Sequence, residues 1–225
     1  MSNNLLILYT KVPQLGKSKT RLAKESNTLF AFLVSLCSFK DTINKISNSK
    51  HYDFIVVVNS EEESQLLKQK LGLNAYVMDN SLLELDQSER FASLFSRFKI
   101  QYDKVVLIPS DVPAITESTI LEAFKLLDNR DYVFGPEYNG GVYLIGSSSK
   151  KNKIFYNVRW STENSVKDLI KNTKGECALL QTQGDINTFK DLSLLQNEIR
   201  KYSPLLHQFI SSNFNKKEAE IYAYN

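Results

Sequence analysis

Histidine is nearly absent from this 225-residue chain: His51 and His207 are the two, far apart. Zinc sites of the His-Glu-x-x-His type need a close pair on one helix and are excluded. A Ser-His-Asp hydrolase needs a nucleophile elbow, and no Gly-x-Ser-x-Gly occurs. His51 reads as a surface-turn residue and His207 as lying on the solvent edge of a C-terminal helix. Cysteine is equally scarce. Cys37 and Cys177 sit in separate apolar contexts without a Cys-x-x-Cys or a disulfide-scaffold spacing, and both read as buried reduced thiols. Long apolar runs are missing: nothing approaches the roughly 18 residues of a membrane span. The N-terminal MSNNLLILYTK has neither the apolar length nor the basic flank of a signal peptide. A reducing, cytoplasmic setting is expected. Excess charge is lacking too, since the net value is +3 with both signs mixed along the chain, which speaks against nucleic acid as a partner. There is no internal repeat, low-complexity tract or Pro/Gly-rich linker, so one domain over residues 1–225 is the economical expectation. A chain this long buries roughly 70–75% of its extended surface on folding, enough for its own core.

What is present is alternation. LLILY (Leu5 to Tyr9), FIVVV (Phe54 to Val58), AYVM (Ala75 to Met78) and KVVLI (Lys104 to Ile108) read as strands, as do DYVFG (Asp131 to Gly135), VYLIG (Val142 to Gly146) and CALLQ (Cys177 to Gln181). The first, second and fourth are nearly continuous in apolar residues, as parallel strands covered on both faces should be. Between them lie helical patterns. Ser60 with Glu63 spells a capping box, Thr116 can cap ESTILEAFKLL, and Thr188 with Asp191 can open FKDLSLLQNEIRKY. A long helix is expected from about Thr28 to Ile46, with Phe30, Leu33, Val34, Cys37 and Phe39 on its apolar side. From Ser203 a last helix and a fraying end are expected. The alternation implies an α/β fold with a mostly parallel sheet and helices on both faces.

Glycine and proline gather in three loops that each follow a strand, where open α/β sheets bind ligands. The first, TKVPQLGKSKTRLA (Thr10 to Ala23), ends its glycine turn in Gly16-Lys17-Ser18 like a Walker loop. The pattern would need a glycine at position 11, where Lys11 stands, so this is no such loop. Lys11, Lys17, Lys19 and Arg21 nevertheless surround a helix start, where the macrodipole is already positive and cations cost stability. A bound phosphate turns that cost into attraction; a solvated basic turn is the plainer explanation. In the second loop, VVLIPSDVPAIT, Asp111 follows a buried strand and suits either a hard cation such as Mg2+ or an Asx-turn before Pro113. In the third, VFGPEYNGGVYLIG, Gly140-Gly141 lets backbone approach a ligand closely or simply makes a hairpin turn.

The first loop closely resembles the N-terminal motif of a bacterial glycosyltransferase-like family of the nucleotide-diphospho-sugar transferase (GT-A) superfamily, whose members are often named arsenosugar biosynthesis glycosyltransferases. Thr10, Lys11, Pro13, Gly16, Lys19, Thr20, Arg21 and Leu22 match its pattern. Further matches are Ser110, Asp111, Pro113 and Thr116; Gly135, Pro136, Gly140, Gly141, Tyr143, Leu144 and Gly146; and Trp160-Ser161-Thr162. The chain departs where the family has a carboxylate before the glycine pair: Asn139 stands there, with Glu137 two residues earlier as a substitute. GDINTFKDL resembles the family's metal loop with Asn187 in place of its second Asp, and Asp185 could supply the charge. In LDQSERFASLF, Glu89 and Arg90 match, Arg90 reaching a nucleotide or pairing with Glu89. The likeness covers about Leu5 to Leu192.

It implies a GT-A-like αβα sandwich that binds a nucleotide or nucleotide sugar and is related in fold to molybdenum cofactor guanylyltransferase and 2-phospho-lactate guanylyltransferase. Thr10, Lys11, Gly16, Lys17, Lys19, Arg21 and Arg90 would hold phosphates or nucleotide; Asp111, Asp185 and Asn187 would hold Mg2+ or Mn2+. Asn139, Gly140, Gly141, Trp160, Ser161 and Thr162 would face the substrate, Trp160 either against a sugar or buried with Ser161 as a helix cap. Asp111 and Glu137 are the candidate catalytic groups. The expected activity is glycosyl transfer from a nucleotide-diphospho-sugar to a small-molecule acceptor. The alternatives are nucleotidyl transfer from an NTP to a small phosphorylated substrate, and nucleotide binding without turnover.

Overall fold

The computed structural model describes residues 3–78, 85–151, 153–174 and 176–213, so the fraying end expected beyond residue 213 lies outside them. The chain divides into two compact units. A sheet unit takes Met1–Val12, Ser49–Pro109 and Glu117–Gln183; a helical unit takes Pro13–Asn48, Ser110–Thr116 and Gly184–Asn225.

In the sheet unit all seven expected strands form: β1 (Asn4–Tyr9), β2 (Asp53–Val58), β3 (Ala75–Val77), β4 (Lys104–Ile108), β5 (Tyr132–Pro136), β6 (Val142–Ser147) and β7 (Cys177–Leu179). Among the described residues they make one sheet in the order β3-β2-β1-β4-β6-β5-β7. The pairs are parallel except those of β6, which runs against both β4 and β5. Leu5 to Leu8 of central β1 are fully buried, as their unbroken apolar run requires. Side chains alternate between faces. Leu5, Ile7, Val105, Leu107, Phe134 and Ile145 share a core with Phe91, Leu94 and Phe95, Ile154 and Phe155, and Val166 and Leu169. Those partners come from α4 (Gln87–Phe98), a 3-10 turn (Lys153–Phe155) and α6 (Ser165–Asn172). On the opposite face Gly146 leaves room for Val106, Val133 and Leu127, just past α5 (Glu117–Leu126). The strand order reverses between β1 and β4, and the chain leaves the sheet unit at the C-terminal ends of these two neighbours.

The helical unit holds α1 (Thr20–Glu25), α2 (Thr28–Ile46), α7 (Phe189–Leu194), α8 (Gln196–Tyr202) and α9 (Pro204–Asn213). Its core is Leu22, Ala31, Val34, Ile186, Leu192, Leu195, Ile199 and Leu206. Phe30 adds a stacked contact to Phe189 at 5.3 Å. Asp41, 1% exposed, reaches from α2 to the start of α9, where its carboxylate accepts the Leu206 N–H at 2.9 Å and that of Leu205 at 3.1 Å. It thus satisfies two of the free N–H groups in that helix's first turn. Burial nevertheless raises its pKa above the ordinary carboxylate value.

Several local expectations change. Ser60 caps α3 (Glu61–Leu71), accepting the Glu63 N–H, but the Glu63 carboxylate takes the N–H groups of Asn59 (2.9 Å) and Val12 (3.2 Å), bracing the end of β1. Thr188 and Asp191 do close a reciprocal box, yet the helix they open breaks at Leu195 into α7 and α8. Cys37 and Cys177 are free but half-buried rather than buried. No helix among the described residues is long and apolar enough to cross a membrane.

Candidate functional site

The basic loop and two of the candidate metal-binding carboxylates lie in the helical unit. After Pro13 the loop closes on itself: Ser18 Oγ accepts the Gln14 N–H at 2.9 Å, and the Gln14 carbonyl accepts the N–H groups of Lys17 and Ser18, both at 3.2 Å. Gly16 permits this turn with φ +81°. The chain enters α1 through Lys19, which sits in the left-handed region (φ 44°, ψ 55°) and makes no side-chain cap. Lys17 and Arg21 are exposed. Lys19 is not: its side chain is 8% exposed, its ammonium lies 3.2 Å from Asp111 Oδ2, and it also donates to the carbonyl oxygen of Ile186.

Asp111 is held by its own surroundings. Its carbonyl accepts the Ile186 N–H at 3.0 Å. The flanking segment is pinned to α2 by Thr42 Oγ1, which donates to the Ser110 carbonyl at 3.3 Å, and by Lys45 Nζ, which donates to that of Pro113 at 2.7 Å. Burial lowers the Lys45 pKa to about 8. Opposite, Asp185 accepts from Asn187 Nδ2. The Asp191 carboxylate orders this loop by accepting the N–H groups of Asn187 (2.9 Å) and Thr188 (2.7 Å). The Asp185 pKa is raised first by burial and next by the negative charge of Asp111, which the nearby Lys19 only partly offsets.

This donor set suits a hard divalent cation: carboxylate oxygens of Asp111 and Asp185, the amide oxygen of Asn187, and more negative charge than one ammonium neutralises. Among the described residues no three His, Cys, Asp or Glu side chains cluster tightly enough to hold a metal alone. Oxygens from water and from a substrate phosphate would complete the shell, as Mg2+ commonly requires.

The sheet unit carries the other expected residues, and there their roles are local. Thr10 is buried, its hydroxyl donating to the Lys11 carbonyl at 3.1 Å, while Lys11 is exposed. The β5–β6 turn is closed by Glu137 N–H to the Gly141 carbonyl (3.1 Å) and Gly140 N–H to the Glu137 carbonyl (2.9 Å). Asn139 Oδ1 accepts the Gly141 N–H at 2.8 Å, so the residue that replaces the family's carboxylate makes an Asx-type turn. Gly140 has φ +85°, and a Cβ there would run into the Glu163 carbonyl; a Cβ on Gly141 would run into the Glu137 carboxylate. Gly140 is thus required by this unit's own packing, whereas at Gly141 the flexible Glu137 side chain could move aside. Gly135 likewise makes room for the Tyr143 ring, whose hydroxyl donates to the Gln181 carbonyl at 2.8 Å.

Trp160 packs edge-on against Phe91 at 5.0 Å and donates its indole N–H to Ser88 Oγ at 2.9 Å, tying its loop to α4. Ser161 does not cap α6 as the alternative held. It is exposed with φ 59°, and Asn164 occupies the N-cap position. Thr162 Oγ1 donates to the Arg159 carbonyl at 2.7 Å, and the Arg159 guanidinium grips Asp168 at 2.8 and 2.9 Å. The Glu89 carboxylate closes a capping box with Asp86, and Arg90 Nε donates to the Leu85 carbonyl at 2.9 Å.

The structure therefore brings Lys19, Asp111, Asp185 and Asn187 together in one unit, and Glu137, Asn139, Gly140 and Gly141 in the other. The Ile186 carbonyl and the ordering role of Asp191 toward Asn187 escaped the sequence reading. A backbone acceptor leaves no sequence signal, and Asp191 was legible only as half of a capping box.

Comparison with known proteins bears on this arrangement. The family described as "Uncharacterized protein conserved in bacteria (DUF2064)" matches residues 42–162. A curated 2-phospho-L-lactate guanylyltransferase of Methanocaldococcus jannaschii is 24% identical over 146 residues, which are 62% of this chain and 58% of that protein. A provisional nucleotide-diphospho-sugar transferase from Desulfovibrio desulfuricans G20 shares the fold, with TM-score 0.76 and 23% identity over 93% of this chain and 99% of the other. So does Rv0371C of Mycobacterium tuberculosis H37Rv, solved in complex with manganese, with TM-score 0.51 and 13% identity over 86% and 98% of the two chains.

Proposed function

Because the chain belongs to the DUF2064 family, whose match covers just over half of it, and has the nucleotide-diphospho-sugar transferase fold, we propose that it is a divalent-cation-dependent transferase acting on a nucleotide-activated substrate. The observation that carries this is the pair of carboxylates Asp111 and Asp185 gathered around Lys19 beside the basic loop of the same unit. Asp111, Asp185 and Asn187 would hold Mg2+ or Mn2+, which when bound stabilises charge developing on a leaving diphosphate. Lys17 and Arg21, exposed at the start of α1, and Lys11 would bind phosphate oxygens. In the sheet unit the Glu137 carboxylate, lying over Gly141, is a separate candidate for a proton-accepting group. Arg90 would serve the nucleotide. Asn139, Gly140 and Gly141 would serve the substrate through backbone and amide, Trp160, Ser161 and Thr162 through the turn before α6.

In glycosyl transfer an acceptor hydroxyl displaces a nucleoside diphosphate from the anomeric carbon. A second reading, nucleotidyl transfer from an NTP to a small phosphorylated substrate, is favoured by the similarity to a guanylyltransferase. The products separate them: nucleoside diphosphate from a sugar-nucleotide panel, or pyrophosphate from GTP or CTP. Both should require Mg2+ or Mn2+ and vanish in Asp111→Asn. Turnover undiminished in Asp111→Asn would remove the cation assignment. Nucleotide binding without turnover on either panel would leave a binding protein.

A further inference from the structure

Three cations follow Gly16 in the helical unit, and they are not alike. Lys17 and Arg21 are exposed, whereas the Lys19 side chain is 8% exposed and already engaged by Asp111 Oδ2 at 3.2 Å and by the Ile186 carbonyl. The backbone that aims it is itself unusual. Lys19 adopts φ 44° at the entry to α1, a region that side chains with a Cβ avoid, and makes no cap there. A lysine needed only to attract phosphate from solvent has no need of this conformation. Its ammonium stands where it neutralises Asp111, one of the two carboxylates assigned to the cation, while Asp185 accepts from Asn187 Nδ2.

We propose that Lys19 is an exchangeable internal counter-ion: its ammonium holds Asp111 while no divalent cation is present, yields that carboxylate when one arrives, and turns to the phosphate of the incoming nucleotide. The proposal rests on the assignment of Asp111 and Asp185 as cation ligands made above. Cation and phosphate binding then become coupled, because the freed ammonium is a phosphate ligand only once the cation has displaced it. Asp111 itself is 30% exposed, which leaves it reachable from solvent on the side that Lys19 does not cover.

The test uses the full chain with Mn2+ and inorganic pyrophosphate as probes. Reductive methylation followed by peptide mass mapping should find Lys17 labelled and Lys19 protected without Mn2+. Saturating Mn2+ should make Lys19 reactive, and pyrophosphate should protect it again. In titration calorimetry Lys19→Met should tighten Mn2+ binding by a factor within the roughly 5–150-fold that such coupling gives, and weaken pyrophosphate binding in the presence of Mn2+. If Asp111→Asn abolishes Mn2+ binding while Lys19 stays protected at saturation, Lys19 is a fixed strut. The proposal then falls while the cation assignment stands. If Mn2+ binds equally well to Asp111→Asn and Asp185→Asn, the assignment falls and takes the proposal with it. The labelling arm uses the natural sequence, so it decides the matter even where Lys19→Met folds poorly.

Discussion

The helical unit and the sheet unit treat their special residues in opposite ways. Around Glu137 to Gly141 each residue that drew attention is absorbed by the turn: Asn139 holds the Gly141 N–H, Gly140 makes way for the Glu163 carbonyl, and Gly141 lies under the Glu137 carboxylate. Around Asp111 the accounts do not close. Two acidic groups share one ammonium, and the Asp185 pKa stays raised because desolvation and Asp111 outweigh Lys19. Gly140 can be explained by packing alone, whereas a half-buried carboxylate whose pKa a second carboxylate helps to raise marks a candidate cation site.

Substitutions can break or sharpen this contrast. The largest effect is expected from Gly140→Ala, which forces a Cβ into the left-handed region and against a carbonyl. Urea unfolding should show a loss on the order of 3 kcal/mol, and a loss too small to measure would show that the turn is looser than described. Asp185→Asn should act in the opposite direction, raising stability at neutral pH by about 1 kcal/mol as site charges commonly do when removed, while abolishing the thermal shift with Mn2+. The sign follows from the raised carboxylate pKa. In its window above the ordinary Asp value the folded chain holds the extra proton, so Asp185 favours folding at low pH and loses that contribution as pH rises through the raised value. Asp185→Asn should flatten that part of the pH–stability curve; an unchanged slope would mean that another group causes it. The smallest effect is expected from Asn139→Asp, because a carboxylate can accept the Gly141 N–H as the amide does. Stability should stay within about 0.5 kcal/mol, so that any turnover it gains reports chemistry rather than folding.

The strands were legible because buried parallel strands must be apolar without interruption and their neighbours must alternate, signals carried by five or six adjacent residues. The long α2 was read from the same kind of local periodicity, and the Thr188–Asp191 box from a spacing of three. Where expectation and structure part, a distant partner decided. Glu63 left its own cap for Val12, 51 positions away. Trp160 found its indole acceptor at Ser88, 72 positions off. The break at Leu195 has no proline or glycine to announce it, and Leu195 is buried in the helical unit's core.

By itself the sequence determined an α/β chain of seven strands and the placement of its glycines, prolines and charges in loops at strand ends, because hydrophobic period and turn chemistry act over a few residues. Tertiary structure decided which of those loops meet. Lys19 reaches Asp111 across 92 positions and the Ile186 carbonyl across 167. Lys17 lies two residues away in the same basic loop and stays exposed, since only folding determines which ammonium is withdrawn from water and set against a carboxylate.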